Sequence, residues 1–346
     1  MYRCVGVSLC IGLCRPGVDA VSGRRAGAAE CEVRIDPVEL GTRRSGYEPG
    51  GCPLEVSAMS SPHSEVGLGV LVGHDGSAAA DHALRWAAQD AAARRVPLYI
   101  VTAVPVGGLG RRHRVEVHQR AHTLIDAAAA RIRADFPDLA VETSVREGDS
   151  AEALLAASAR CDTVVVGSRG HGGFTGLLLG SVSLRVCAHS SCPVVVVHTA
   201  AAKDARGVVV GVGGPEDGPA ADFAADHARR LGGGLRAVHS WVLPVTGLAP
   251  SLVLPNMIDV EAVRAERTAM VDKVLDTIRI ADPELPVDAA VMNGTAGRDL
   301  VDASIDGALV VVGAHRRRGP LPMRLGPTTH AVLHHARCPV GVVPIH

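Results

Sequence analysis

The stretch TVVVGSRG runs from Thr163 to Gly170, and nine residues separate it from Gly180 and Ser181. The apolar residues before Gly167 are typical of a buried strand, and the residues from Ser181 onward are typical of a helix. Glycines let backbone N–H groups approach a bound group without an intervening Cβ, and a helix start carries partial positive charge. With Ser181 expected to cap the helix and donate its hydroxyl, the stretch predicts an anion-binding turn.

The same block occurs twice. The apolar run 309–312, followed by Gly313, Gly326 and Cys338, lies 146 positions downstream of the first copy (313 against 167, 326 against 180, 338 against 192). The apolar runs that open the two copies are 138 positions apart, so the second copy carries extra residues, which we place in the loop 244–255. A period of this length indicates duplicated domains rather than a solenoid of short repeats.

Each copy alternates short apolar runs with helical patterns, which predicts an α/β fold with a parallel sheet covered by helices on both faces. In the first copy we expect helices at 77–95, 115–136, 150–159 and 181–189, the first of them capped by Ser77. The predicted strands are 69–73, 98–104, 140–146, 163–166 and 194–197, then 208–211, 235–241, 287–292, 309–312 and 340–343.

These motifs resemble the universal stress protein family, and the chain is similar to a tandem member of the UspA-like, actinobacterial type. The resemblance covers roughly 66–346, with one domain at 66–199 and a second at 206–346. It implies two Rossmann-like, doubly wound domains, each with a five-stranded parallel sheet in the order 3-2-1-4-5. Residues 1–58 lack helical or strand periodicity, and we expect them to be disordered or a non-native extension, because Met59 directly precedes the first core strand.

Composition limits the classes of partner that this chain is expected to bind. The net charge is −1 and aromatic residues make up 2% of the chain, so no broad basic surface for nucleic acid or anionic membrane is expected. No apolar run approaches the roughly 20 residues of a membrane span, and we expect a cytoplasmic protein. Five of the nine cysteines fall within 1–58 in no zinc-ligand spacing, and the four in the domains are expected to pack as small apolar side chains.

The family resemblance implies that the first domain binds ATP, with Mg²⁺ held mainly by the phosphates. There the glycines and Ser181 would hold phosphates with the N–H of Val182, Gly167 would admit the ribose, and Asp75 would lie near the adenosine. The end of the second strand would meet the adenine edge, and Arg169 would reach a phosphate. The residues assigned to this site are Gly73, His74, Asp75, Ala103, Gly167, Arg169, Gly170, Gly180, Ser181 and Val182.

Other interpretations remain open for these residues. Asp75 could serve only an Asp-Gly turn, Ser181 could cap a helix without touching a ligand, and the glycines could serve only a tight turn. His74 and His171 are expected to be solvated loop residues rather than catalysts. We assign no catalytic or metal-ligating residue, so at most slow ATP hydrolysis is expected.

The second copy departs from the motif at three positions. Arg316 replaces the second glycine, Pro327 replaces the serine, and Gly213 replaces the acidic residue. An arginine would fill the space of a phosphate, and a proline lacks both hydroxyl and N–H, so we expect little or no nucleotide binding in the second copy. Two alternatives stay open: Arg316–Arg318 could hold another anion, and Thr328 could cap the following helix one residue late.

Pairing is a further expectation. The family resemblance implies that the two copies pair through their last strands as a pseudo-dimer, with a homodimer also possible. The alternatives to an ATP-binding stress-response protein are a nucleotide-independent scaffold that acts through protein contacts, or a slow ATPase.

Overall fold

A computed structural model describes residues 68–105, 107, 111–170, 179–198, 205–242, 259–315 and 325–345. We refer to the described residues up to 198 as the first half and to those from 205 as the second half. The expectations for residues 1–58, the loop 244–255, His171 and Arg316–Arg318 lie outside the described residues.

One sheet of ten strands runs through both halves in the order β3-β2-β1-β4-β5-β10-β9-β6-β7-β8. Within each half the neighbouring strands are parallel. Both halves therefore show the predicted order 3-2-1-4-5. The strands are β1 Val70–Gly73, β2 Leu98–Val104, β3 Val141–Glu147, β4 Thr163–Gly167, β5 Val194–Val197, β6 Val208–Gly211, β7 Leu235–Trp241, β8 Val287–Asn293, β9 Leu309–His315 and β10 Val340–Ile345.

Eight helices among the described residues cover the two faces of this sheet. Helices α1, α2, α5 and α6 contribute to the core on one face, and α3, α4, α7 and α8 to the core on the other. Their bounds are α1 Ala78–Arg94, α2 Arg111–Asp135, α3 Ser150–Ser158, α4 Ser181–His189, α5 Gly218–Leu231, α6 Val260–Ala281, α7 Ala296–Ala303 and α8 Pro327–His335. Helix α2 begins four residues before its predicted start.

The core is built almost entirely from valine, leucine, isoleucine and alanine. The central strands are buried on both faces, and alanines on α1 and α5 let these helices lie close to the sheet. A parallel sheet covered on both sides needs such continuous apolar runs instead of alternating polar and apolar residues. This explains why the strands could be located from the sequence.

The predicted capping residues at the helix starts are correct for α1 and wrong for α4. Ser77 caps α1 as expected, accepting a hydrogen bond from the backbone N–H of Ala80 at 3.2 Å. The prediction that Ser181 caps α4 is wrong, because Gly180 is the extended capping residue and Ser181 is the first residue of the helix. Thr328 likewise lies inside α8, which Gly326 precedes as the capping residue.

The two halves meet edge to edge in the middle of the sheet. Strands β5 and β10 are antiparallel, with Val195 opposite Gly341 and Val196 opposite Val340. This pairing satisfies the backbone groups of two strands that would otherwise be exposed edges. It also brings the last strands of the two halves together, as the sequence analysis expects.

Candidate functional site

A cavity of about 270 Å³ opens in the first half where β1, β2 and β4 end. In an open parallel sheet this carboxyl edge, at the point where the strand order reverses, is where ligands bind. All ten residues assigned from the sequence line this one cavity, together with Leu154, Val166 and others: Gly73, His74, Asp75, Ala103, Gly167, Arg169, Gly170, Gly180, Ser181 and Val182. The structure therefore brings together residues that are more than one hundred positions apart.

Helix α4 begins at the wall of this cavity. The N–H groups in the first turn of a helix have no acceptor within the helix, and this end carries partial positive charge. Ser181 and Val182, the first two residues of α4, both line the cavity. These two residues are therefore suited to donate hydrogen bonds to an anion.

Three hydrogen bonds hold the glycine turn in place. Ser183 Oγ donates to the carbonyl of Gly167 at 2.7 Å, and the N–H of Gly180 donates to the carbonyl of Ser168 at 2.7 Å. Ser77 Oγ donates to the carbonyl of Arg169 at 3.2 Å, joining the start of α1 to the turn. Sequence reasoning missed Ser183, although its place two residues after Ser181 on a helix that starts at the turn is a usable signal.

Gly167 has a structural reason of its own to be glycine. A Cβ at this position would lie 2.7 Å from the carbonyl carbon of Ala79, in the first turn of α1. The absent side chain thus accommodates the backbone of α1, in addition to any space it leaves for a ligand. Gly170 lies against the Asp75 carboxylate, where a side chain would collide with that group.

Asp75 takes part in a turn and also lines the cavity. Its Oδ1 accepts a hydrogen bond from the N–H of Ser77 at 3.0 Å, which is the turn geometry of an aspartate that precedes a helix. It also lines the cavity next to Gly170. The turn interpretation is correct and does not exclude a role at the site.

His74 is not the solvated loop residue that the sequence suggested. It is 3% exposed, and its Nε2 lies 3.0 Å from Asp81 Oδ1 on α1. Arg131 on α2 reaches the same carboxylate oxygen at 2.7 Å. Burial alone would raise the pKa of Asp81, but the hydrogen bonds from His74 and Arg131 lower it. This chain of contacts fixes the end of β1 against α1 and α2.

A second cavity, of about 240 Å³, occupies the equivalent place in the second half. Gly213 stands where the first half has Asp75, yet a carboxylate is present, because Asp217 Oδ2 accepts hydrogen bonds from the N–H groups of Gly213 at 2.7 Å and Gly214 at 3.3 Å. Asp217 Oδ1 lies 3.3 Å from His315 Nε2. The expectation that this half lacks an acidic group at its cavity is therefore wrong.

The environment of Asp217 differs from that of an exposed carboxylate. The residue is 3% exposed, and burial raises the pKa of its carboxyl group, while the hydrogen bond from Gly213, the charge of His315 and the hydrogen bond from Gly214 oppose this. At the helix start of the same cavity, Pro327 is the first residue of α8 and supplies neither an N–H nor a hydroxyl. The two cavities therefore share a framework and differ in their polar groups.

Neither a metal site nor a membrane-spanning helix is found in the part of the chain that the structure describes. No cluster of three or more His, Cys, Asp or Glu side chains there has the arrangement to hold a metal ion. No helix there is long and apolar enough to cross a membrane.

The sheet order of the two halves and the cavity at the same place in each define a class of tandem, doubly wound α/β proteins. A model of the universal stress protein family matches residues 69–198 and again 205–344. The chain belongs to the universal stress protein family.

A relative of similar length supports this assignment, and a solved structure shows the same fold. A universal stress protein of Mycobacterium tuberculosis is 34% identical over 300 residues, which cover 82% of this chain and 99% of the relative. The crystal structure of a universal stress protein from Archaeoglobus fulgidus covers 80% of this chain and 98% of its own, with a TM-score of 0.63 at 20% identity. A shorter universal stress protein, solved in complex with cAMP, covers 39% of this chain and 99% of its own, at 30% identity with a TM-score of 0.32.

Proposed function

We propose that this protein is an ATP-binding stress-response protein that holds one nucleotide in the cavity of the first half. The observation that carries the proposal is that every residue of the glycine-serine motif lines the same cavity as Asp75, with Ser181 at the start of α4. Anion binding at a helix start that follows a glycine turn needs no additional cationic side chain.

Each part of the nucleotide has a counterpart in the cavity. The N–H groups of Ser181 and Val182, the Ser181 hydroxyl and the glycine turn would hold phosphates. Apolar side chains of Val101, Leu154 and Val166 line the same cavity and suit a base or ribose, while the backbone at Ala103 would meet the adenine edge. Mg²⁺ would be held mainly by the phosphates.

Binding without rapid turnover is the expected outcome. The buried imidazole of His74 is engaged with Asp81, and we assign no general base to the cavity. The cofactor is therefore proposed as a signal or stabiliser rather than as a substrate of fast hydrolysis. In this proposal the two halves form a pseudo-dimer through β5 and β10, in which the second half supports the first.

The chain supplies its own design for a test. Pro327 stands at the first position of α8, after Gly326 with φ −66° and ψ 162°. Gly180 has nearly the same conformation, with φ −79° and ψ 155°, so Ser181→Pro fits the backbone of the first half. The substitution removes one N–H and one hydroxyl from the cavity wall and puts the apolar pyrrolidine ring in their place.

Calorimetric titration with Mg²⁺-ATP is expected to show one site per chain. Ser181→Pro should weaken binding at least about 100-fold, since it removes two hydrogen-bond donors, each contributing about 1.5–3 kcal/mol to a charged acceptor, and 1.4 kcal/mol is tenfold. The control Pro327→Ser restores these groups in the second half and should leave the first site unchanged.

Three results would contradict parts of the proposal. Absence of ATP binding by the parent would favour a nucleotide-independent scaffold. Two equivalent sites would refute the asymmetry between the halves. Accumulation of ADP at a steady rate would favour a slow ATPase.

A further inference from the structure

Two buried cysteines lie side by side at the amino ends of β4 and β5, on the opposite side of the sheet from the strand ends that form the cavity. Cys161 Sγ and Cys192 Sγ are 3.6 Å apart, and both residues are free thiols. They are buried without being sealed, with exposed fractions of 6% and 8%. The sequence analysis expects these cysteines to pack as small apolar residues, which does not account for their direct contact.

The strand register sets this distance. Cys161 and Cys192 immediately precede β4 and β5, which are parallel neighbours with Val164 opposite Val194. Continued by two residues, this register places Cys192 opposite Asp162 and one residue out of step with Cys161. Strand spacing of about 4.8 Å and a rise of about 3.3 Å then separate the two Cα atoms by about 6 Å, within the range that a disulfide spans.

The second half lacks the pair and serves as an internal comparison. Cys338 occupies the position equivalent to Cys192, but Gly307 stands where the first half has Cys161. A Cβ built at Gly307 would lie 3.5 Å from Cys338 Sγ, so the same space exists there without the second sulfur. The dithiol is therefore specific to the first half and not a requirement of the fold.

The two sulfurs have different acid strengths. The hydrogen bond from Cys161 lowers the pKa of Cys192, burial opposes this, and the nearby Ser190 hydroxyl adds to the lowering. The same pairing, together with burial, raises the pKa of Cys161. By contrast, burial raises the pKa of the single thiols Cys187 and Cys338 to about 12. Because Ser190 Oγ lies 3.7 Å from Cys192 Sγ, we assign Cys192 as the sulfur that reacts first with an oxidant.

We propose that Cys161 and Cys192 are an oxidisable dithiol that a hydroperoxide converts to a disulfide. The Cys192 thiolate attacks one peroxide oxygen, so that an S–O bond forms, the O–O bond breaks and hydroxide leaves. The Cys161 sulfur, after losing its proton, attacks the sulfenic sulfur, so that the S–S bond forms and the oxygen leaves as water. Two thiols and one hydrogen peroxide give one disulfide and two waters, and a dithiol reductant reverses the change.

The position of this crosslink connects it to the cavity. The two cysteines are 31 positions apart, and the segment between them contains β4, the glycine turn and α4. A disulfide would close this whole segment into a covalent ring and restrict the unfolded chain. Oxidation is therefore expected to stabilise the part of the first half that carries the motif, whether or not that motif binds ATP.

Peptide mapping of the full chain tests the proposal. After treatment with hydrogen peroxide, alkylation and trypsin digestion, we expect peptide 161–169 to be joined to peptide 186–203, with the link lost on reduction by dithiothreitol. The link should persist in Cys187→Ser, which removes the other cysteine of the second peptide, and disappear in Cys192→Ser. The melting temperature of the parent should rise by about 5 °C on oxidation, and that of Cys161→Ala should not.

Three outcomes of the peptide mapping would refute the proposal that Cys161 and Cys192 form a disulfide. If both thiols are still alkylated after denaturation, or if Cys192 proceeds to sulfinic acid without joining Cys161, the pair is not a dithiol switch. A link from Cys161 to Cys187 would also refute it. If Cys192→Ser does not fold, Cys192→Ala, which leaves no polar group in the pocket, replaces it in the comparison.

Discussion

His227 Nε2 and Asp90 Oδ1 lie 3.4 Å apart, and the two side chains come from different halves of the chain. Asp90 is on α1 and His227 is on α5, and both are buried. Arg230 approaches the same Asp90 oxygen at 3.4 Å, and Arg94 approaches the other at 3.3 Å. One buried carboxylate thus joins His227 and Arg230 of the second half to Arg94 of the first.

Aromatic rings enclose this ionic contact. The ring of His227 stacks with that of Trp86 at a centroid distance of 5.8 Å and lies 4.4 Å from that of Phe223. The acid comes only from the first half and the histidine only from the second, so two identical halves would not reproduce the arrangement. The cluster therefore favours pairing of unlike halves.

We predict that Asp90→Asn destabilises the protein by about 3 kcal/mol at pH 7, because it removes the buried negative charge that the half-buried Arg94 and Arg230 share. Chemical denaturation measures the loss. Asp162→Asn is the matched control, since Asp162 contacts Arg94 at 2.7 Å within the first half and is partly exposed. An equal effect of the two substitutions would show that the contact between the halves has no special role.

Acid should weaken the same contact. Burial would raise the pKa of Asp90, but His227, Arg230 and Arg94 together lower it. A carboxyl whose pKa is lower in the folded state stabilises the protein above its unfolded pKa of about 3.9 and loses that contribution as the pH falls through the folded value. The difference in stability between the parent and Asp90→Asn should therefore begin to shrink near pH 4 and disappear only below the folded pKa. A constant difference down to pH 2.5 would contradict this.

Asp217→Asn is expected to have the opposite pH signature. Because burial raises the pKa of Asp217, the folded state holds its proton more tightly than the unfolded state does. The parent should gain stability relative to Asp217→Asn as the pH falls from 7 through the folded pKa, with the gain complete below the unfolded value of about 3.9. At pH 7 the substitution should be neutral or stabilising, since asparagine still accepts from Gly213. Strong destabilisation at pH 7 would mean that the charged form is required.

Ser183→Ala is predicted to weaken ATP binding several-fold while reducing stability by about 1 kcal/mol, because it releases the carbonyl of Gly167 from its hydrogen bond. Ser158→Ala is the control. It removes another buried hydroxyl, which donates to the carbonyl of Leu155 at 2.8 Å and does not line the cavity. Calorimetry and thermal melting on both variants distinguish positioning of the turn from general loss of stability. Equal ATP affinities would refute the positioning role.

Deletion of residues 1–58 is predicted to leave the melting temperature and nucleotide occupancy unchanged. Both family matches fall within 69–344, so the deletion removes no part of either match. Scanning calorimetry and mass spectrometry of released nucleotide compare the two chains. A fall of several degrees, or loss of nucleotide, would show that this segment contributes to the folded protein.

The sequence by itself determined where most helices and strands lie and in what order they follow one another along the chain. The largely apolar runs 194–197 and 98–104 agree with the observed strands residue for residue, because strands buried on both faces leave a nearly continuous apolar signal. The repeat spacing and the glycine motif then indicated two doubly wound halves and one set of site residues. These features are local, or repeat at a fixed distance, and so can be read along the chain.

Only the tertiary structure decided how particular side chains are used. It replaced Ser181 with Gly180 as the cap, put Asp217 where Gly213 had suggested no acid, and buried His74 against Asp81. It also brought Asp90 to His227 and Cys161 to Cys192. These contacts depend on how helices and strand ends pack across the sheet. Packing brings together residues far apart in the chain, and no pattern along the sequence records their distance.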